Sequence, residues 1–193
     1  MFVLNESLTV SVQRSVSDAT LDSFLSKIAK EKDREALSQL YHATSTGIYA
    51  YALSVLKNSH DAEDVLQECY LCVFSSAHTY RSMGKPLAWM MTITKNLCFQ
   101  RLRERQKVAD VPEEDWEKYL EGNEGISSED RMVLKECMQL LNDDERKIVV
   151  LHAVAGFKHR EIAKLLELPL STVLSKYNRA IKKLKTALTK GDY

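Results

Sequence analysis

The sequence predicts an all-α protein of two small helical domains joined by an acidic flexible linker. Three observations carry this. Apolar residues recur at spacings of three and four along most of the chain, the period of an amphipathic helix. Pro and Gly are almost absent before residue 60, and no strand-like alternation appears. The sign of the charge also switches twice. Lys95, Arg101, Arg103, Arg105 and Lys107 face Glu104 alone; Asp110, Glu113, Glu114, Asp115, Glu117, Glu121, Glu124, Glu129 and Asp130 then face only Lys118; and from Lys176 to Lys190 the cations are unopposed. Two basic zones held apart by an acidic one suit two contacts with a polyanion, joined by a segment kept off it.

Residues 1–17 have no clear helical period and read as an N-terminal arm. From Asp18, capped by Ser17 or Asp18, the residues Leu21, Phe24, Leu25, Ile28, then Ala36, Leu37, Leu40 and Tyr41 keep helical spacing. Ile48 to Leu56 continue a helix that Lys57-Asn58-Ser59 ends. Asp61-Ala-Glu-Asp-Val-Leu-Gln-Glu68 opens the next, with acids in the first turns where the helix dipole favours them. Its inner stripe is Ala62, Leu66, Cys69, Tyr70 and Val73, which puts Asp64, Gln67, Glu68 and Leu71 together on the other side. A solvated face accounts for the acids, whereas a leucine ringed by polar residues suits a protein interface.

The polar stretch Ser75–Gly84 leads to Pro86, placed to begin a helix. That helix, Leu87 to Arg105, is apolar on more than one side through Trp89, Met90, Met91, Ile93, Leu97, Cys98, Phe99 and Leu102, and belongs at the centre of a first domain, 18–106. Its basic end beside Tyr80 and Arg81 has the makings of a single-strand site, where cations track phosphates and aromatics meet bases; Trp89 reads as core. Residues 107–128, with the acids and Gly122, Asn123, Gly125, Ser127 and Ser128, form the linker, within which Trp116, Tyr119 and Leu120 suit a short apolar turn. In the second domain, 129–193, Met132, Leu134, Cys137, Leu140 and Leu141 start the core. Asn142-Asp143-Asp144 caps a helix filled by Ile148, Val149, Leu151 and Val154 and ended by Gly156.

His159-Arg-Glu-Ile-Ala-Lys-Leu-Leu166 then joins, through Glu167-Leu168-Pro169-Leu170, a longer segment beginning Ser171-Thr172-Val173. Val173, Tyr177, Ala180, Ile181, Leu184 and Leu188 make one stripe, and Ser175, Lys176, Arg179, Lys182 and Lys183 the other face. Leu168 packs the turn, Pro169 stops the first helix, and Ser171 or Thr172 suits the second as N-cap. This is the pattern of a helix-turn-helix whose second helix can enter a major groove. An amphipathic hairpin with a solvated charged face fits the same residues, so context decides.

The 27 Lys and Arg balance 27 Asp and Glu, so whole-chain charge argues neither for nor against nucleic acid. No apolar run approaches the roughly 20 residues that span a bilayer, and the N-terminus lacks the continuous apolar core of a signal peptide. A cytoplasmic location without membrane insertion is expected. The four cysteines, Cys69, Cys72, Cys98 and Cys137, sit in helical patterns as packed, reduced thiols, and Cys69-x-x-Cys72 has no second ligand pair to make a zinc site. No cofactor is expected.

In this order, these motifs resemble a group 4 (extracytoplasmic-function, ECF) sigma factor of the sigma-70 family, over about residues 20 to 188. Ala62-Glu63-Asp64 with Gln67-Glu68 matches the family's region 2.2, Trp89 to Asn96-Leu97 the end of region 2.3 and the start of region 2.4, and Leu141 to Leu188 region 4. The resemblance implies a non-enzymatic subunit that binds core RNA polymerase at its β′ clamp and β flap and directs promoter-specific initiation. Asp61, Asp64, Gln67, Glu68 and Leu71 would dock on the polymerase. Tyr80, Arg81, Asn96, Arg101 and Arg103 would hold the −10 element with a flipped non-template base, and Arg160, Ser171, Thr172, Leu174, Ser175, Lys176, Arg179 and Lys182 would read the −35 duplex. The acidic linker would thread the RNA exit path, and an anti-sigma partner is implied.

The chain departs from the family at Glu167, where Gly is frequent, at Leu174 and Lys176, where Lys and Arg are frequent, and at Gln100, where Asp is common. Base preference therefore does not carry over. Two other classes compete. A free-standing helix-turn-helix regulator needs neither the acidic helix nor the linker, and a thiol enzyme using Cys69 and Cys72 lacks a base and an activating cation.

Overall fold

The computed structural model describes residues 16–82, 84–105 and 138–190. Most of the expected arm, the linker with Trp116, Tyr119 and Leu120, and Met132, Leu134 and Cys137 lie outside the described residues. Among those described, the elements in chain order are α1 (Asp18–Glu31), α2 (Arg34–Leu56), α3 (Ser59–Ser76), the 3-10 turn Ala77–Thr79, α4 (Pro86–Arg105), α5 (Asp143–Ala153), α6 (His159–Leu166) and α7 (Leu170–Lys190), with residues 138–139 also helical.

Local chemistry sets these boundaries. Ser17 caps α1, its hydroxyl accepting from the Thr20 N–H at 3.2 Å. The continuous period read across residues 21–41 is two helices, because Lys32 turns into the left-handed region (φ 53°) and the Asp33 carboxylate caps α2 through the Glu35 and Ala36 N–H groups at 2.9 and 3.1 Å. An aspartate at a cap satisfies N–H groups that the helix itself leaves open, and that outweighs an unbroken apolar pattern. Asn58 caps α3, and Asn142 with Glu145 forms a reciprocal capping box at α5. At α7 the expected Ser171 or Thr172 cap is not used. The Pro169 carbonyl accepts from the Thr172 and Val173 N–H groups, so the helix starts at Leu170 and Ser171 lies in its first turn.

Helix α2 is the hub. Residues 50–56 are all buried, and the helix packs on α1, α3 and α4 and also on α5 of the C-terminal half. The inner stripe read for α3 is buried throughout, as are Met90, Met91, Leu97 and Cys98 of α4. Phe99, expected in the core, is 41% exposed, because α4 emerges from the bundle there. One apolar cluster runs from Leu21 through Ile48 and Met91 to Leu151, Phe157, Ile162 and Val173, so the two halves share a core. A smaller cluster of Leu141, Val149 and Ala180 ties α5 to α7.

Gly47 sits where the halves meet. A Cβ there would lie 3.2 Å from the Ala155 Cβ and 3.3 Å from its Cα, so glycine lets α2 approach residue 155 closely. Gly47→Val overpacks this contact and is expected to weaken the closed arrangement by about 1–3 kcal/mol. It should lower the urea midpoint and enlarge the radius of gyration in X-ray scattering; wild-type values for both would show that the halves do not depend on this approach.

Candidate functional site

The acidic face comes first. Burial of Ala62, Val65, Leu66, Cys69 and Val73 turns the other side of α3 outward, where Leu71 is 70% exposed. Helix α4 runs beside it with cations. Arg101 stands 3.6 Å from both Asp64 and Glu68, and Arg105 pairs with Asp61 while donating to the Leu56 carbonyl at 3.2 Å. Of the residues expected to meet polymerase, Asp61, Asp64 and Glu68 are thus engaged by α4, while Gln67 and Leu71 face solvent. Arg101, expected at the −10 element, is drawn to the acids. The two Arg101 pairs, long and partly exposed, contribute at most about 1 kcal/mol, so a partner can exchange them.

The expected single-strand residues gather at the far end of the turn after α3 and along α4. Arg81, Asn96 and Arg103 are exposed, and Asn96 and Arg103, two helical turns apart, share a face. Tyr80 is half-buried, its ring 5.2 Å from that of Trp89, which packs on the core. The Tyr80 hydroxyl donates to Asp22 of α1, as does that of Ser82 at 2.8 Å. Asp22 escaped the sequence reading: a lone acid 58 positions from its partner leaves no local signal.

The helix-turn-helix takes the geometry its residues require. Ile162, Ala163, Leu165 and Val173 are buried, and Leu168 packs the turn. Glu167 occupies the left-handed region (φ 57°) as C-cap of α6, the conformation that explains why glycine suits this position. Arg160, Ser171, Leu174, Ser175, Arg179 and Lys182 are exposed and Thr172 half-buried, so Leu174 faces solvent instead of packing. Two cations read as outward-facing are turned inward. Lys176 reaches Asp144 at 2.7 Å and Lys183 reaches the buried Glu145 at 2.6 Å, because the α5 cap sets both acids in a first turn against α7. Burial pushes the Glu145 carboxyl up, but the Lys183 bond and the Asn142 N–H outweigh that and hold it below the usual range.

Of the three described thiols, Cys69 and Cys98 are buried packing groups and Cys72 is half-buried. Cys69 is buried with its sulfur 3.4 Å from the Thr94 hydroxyl, and burial pushes the thiol up to about 11. Burial pushes Cys98 to about 12, and burial plus the Glu68 charge raises Cys72. Low-pKa thiolate is what nucleophilic cysteine needs, and these move the other way.

Among the described residues, three ion pairs bridge the halves: Lys57–Asp143 at 3.0 Å, Lys85–Glu161 at 2.7 Å and Lys95–Glu167 at 2.5 Å. The Lys95 ammonium also donates to the Leu165 carbonyl at 3.1 Å, so it closes over the end of α6. Lys57 holds Asp143, and Lys95 holds Glu167, below the ordinary carboxylate range; for Glu161, burial pushes upward but Lys85 and the Lys158 N–H prevail. Folded values below unfolded ones mean that these ties are complete above the ordinary carboxylate range and lost as pH falls through the depressed values. Closure therefore weakens in acid. No sequence pattern marks these pairs beyond Glu167 standing at a glycine position.

The sigma-70 region 2 model matches residues 40–108 and the sigma-70 region 4 model residues 131–184. The ECF RNA polymerase sigma factor SigK of Mycobacterium ulcerans (strain Agy99) is 27% identical over 175 residues, covering 87% of this chain and 93% of the relative. SigK of Mycobacterium sp. (strain KMS) is 26% identical over 188 residues, covering 94% and 97%. In fold, the chain is similar to the sigma factor RpoE in complex with the anti-sigma factor NepR from Bartonella quintana (TM-score 0.65, 21% identity, 81% of this chain and 98% of that one). It is also similar to CnrH in complex with the cytosolic domain of CnrY (TM-score 0.60, 20% identity, 90% and 99%).

Glu167→Gly tests the bridge. Glycine removes the left-handed cost of a side-chain-bearing residue, about 1 kcal/mol or more, and also removes the Lys95 tie. The expected result is a larger radius of gyration at low salt without loss of thermal stability; unchanged compactness would mean that the pair does not hold the halves.

Proposed function

The chain belongs to the sigma-70 family as a factor of the ECF type, and we propose that it directs initiation through three surfaces: an acidic docking face, a −10 grip and a −35 grip. The observation that carries this is the pairing of an outward acid-and-leucine face on α3 with a solvent-facing helix-turn-helix in one chain. A regulator working alone needs only the second. Polymerase docks on Asp61, Asp64, Gln67, Glu68 and Leu71: Leu71 supplies apolar area, and the acids exchange Arg101 and Arg105 for cations of the clamp. Arg101, released, joins Arg81, Asn96, Arg103 and Tyr80 around the unpaired −10 strand, where unstacking a base costs a few kcal/mol that pocket contacts offset.

The proposal keeps the domain division at 18–106 and 129–193, with 107–128 between. The −35 and −10 elements stand roughly two duplex turns apart, at about 34–36 Å per turn, whereas Lys95 beside Asn96 touches Glu167 of the helix-turn-helix. The closed arrangement cannot grip both, so the halves separate when polymerase and promoter bind. Arg160, Ser171, Thr172, Leu174, Ser175, Arg179 and Lys182 then meet the −35 duplex, joined by Lys176 on leaving Asp144. One similar solved structure is of a sigma factor in complex with an anti-sigma factor, and an anti-sigma partner is proposed here too. Among the described residues no helix is long and apolar enough to cross a membrane, and the cytoplasm, where core polymerase works, is the proposed location.

Mixing the full chain with core polymerase and promoter-library DNA tests the reading: specific starts should appear only when the protein is present, and identical starts without it would refute it. Asp64→Lys with Glu68→Lys should abolish polymerase binding while leaving duplex −35 binding intact, measured by co-purification and by gel shift. Arg179→Ala should weaken −35 binding and reduce the salt slope by about one unit if the side chain meets phosphate; an unchanged slope would assign it elsewhere.

A further inference from the structure

We propose that Asp22 is a positioning residue for the −10 grip, holding residues 80–82 in the shape that receives a base. This rests on the reading that the segment between α3 and α4 captures the unpaired −10 strand. Residues 80–82 and 84–85 belong to no helix, and Gly84 has φ +67° with nothing near its missing Cβ, so neither secondary structure nor close packing fixes this glycine. Two sets of side-chain ties hold this segment among the described residues. At the far end, Lys85 reaches Glu161 of the helix-turn-helix, a tie that separation of the halves would break. At the near end, Tyr80 and Ser82 each donate a hydroxyl hydrogen bond to a different oxygen of the Asp22 carboxylate. That tie lies wholly within the N-terminal half and survives opening.

The geometry suits a template. Asp22 follows Leu21, which is 3% exposed, and precedes the fully buried Leu25 and Ile28, so the core fixes the helix that carries it. Two anchor points two residues apart set the backbone direction at Arg81, which is exposed between them. The Tyr80 ring, with its hydroxyl held and Trp89 on one side, is left with a defined orientation for a base to meet. A loop ordered before DNA arrives spends less binding energy on its own ordering, and stacking on an aromatic ring requires that the ring be in place. Asp22 touches no nucleotide in this account.

The test uses holoenzyme assembled from the full chain and core polymerase, on a promoter recovered from the library, with 2-aminopurine scanned through the −10 non-template strand. Its fluorescence rises when the base leaves the stack. Asp22→Ala and Tyr80→Phe should each slow that rise about ten-fold, the scale of a loosened reacting geometry, flatten base preference at −10, and leave −35 binding and polymerase affinity unchanged. The double variant should be no slower than Asp22→Ala alone, because that substitution already removes the Tyr80 bond together with the Ser82 bond. Tyr80→Phe keeps the ring and its packing, so it remains informative if Asp22→Ala fails to fold. Wild-type rates in Asp22→Ala and Tyr80→Phe with a strong loss in Tyr80→Ala would overturn the role of Asp22 while leaving the grip standing. Wild-type rates in all three would remove the grip reading itself. Tighter DNA binding by Asp22→Asn with a steeper salt slope would also overturn the proposal, since the carboxylate would then act only by repelling phosphate.

Discussion

The close approach of α2 to the segment after α5, made possible by the absent side chain at Gly47, is the constraint on which the arrangement depends. It joins helices from both ends of the chain into one apolar cluster and brings the ion pairs of Lys57, Lys85 and Lys95 within reach. The apolar contact and the charges have different characters. Burial is indifferent to salt and direction, whereas pairs at a partly exposed rim fade with ionic strength and acid. A chain that must hold two proposed DNA grips together and then separate them is served by that combination, because the rim is open to competition from a charged partner.

Charge in this molecule is reused. The α3 acids that face a proposed polymerase site are bridged by α4 arginines that face a proposed DNA site, and α7 cations are held by the acids at the start of α5. The whole chain has a formal net charge of zero, and Arg101, Arg105, Lys176 and Lys183 each meet an acid before nucleic acid arrives. Non-specific attraction to DNA is thereby kept low in the closed form. Affinity then depends on a partner that takes over the acids, which suits a subunit that acts only within a larger assembly.

The left-handed Glu167 shows how one position can serve two purposes. Where the family often has glycine for the turn, this chain accepts the backbone strain of glutamate, and the carboxylate that results reaches Lys95 in the other half. The substitution moves function from the turn itself to the contact between halves.

Much was legible in the sequence for a physical reason: period and capping are local. The 3.6-residue spacing located the helices, the α3 inner stripe and the Asn142 cap, and the order of acidic helix, basic helix end and helix-turn-helix was enough to indicate the family. Local rules also failed locally, at the Asp33 cap within an unbroken apolar pattern and at Pro169, whose carbonyl took the role expected of Ser171. What only the tertiary structure decided involves partners far apart in sequence: Asp22 with Tyr80 and Ser82, Lys95 with Glu167, Arg101 with Asp64 and Glu68, and the inward turn of Lys176. A side chain's type fixes which bonds it can make, but the packing of helices chooses among them, and no spacing rule spans 60 or 70 residues.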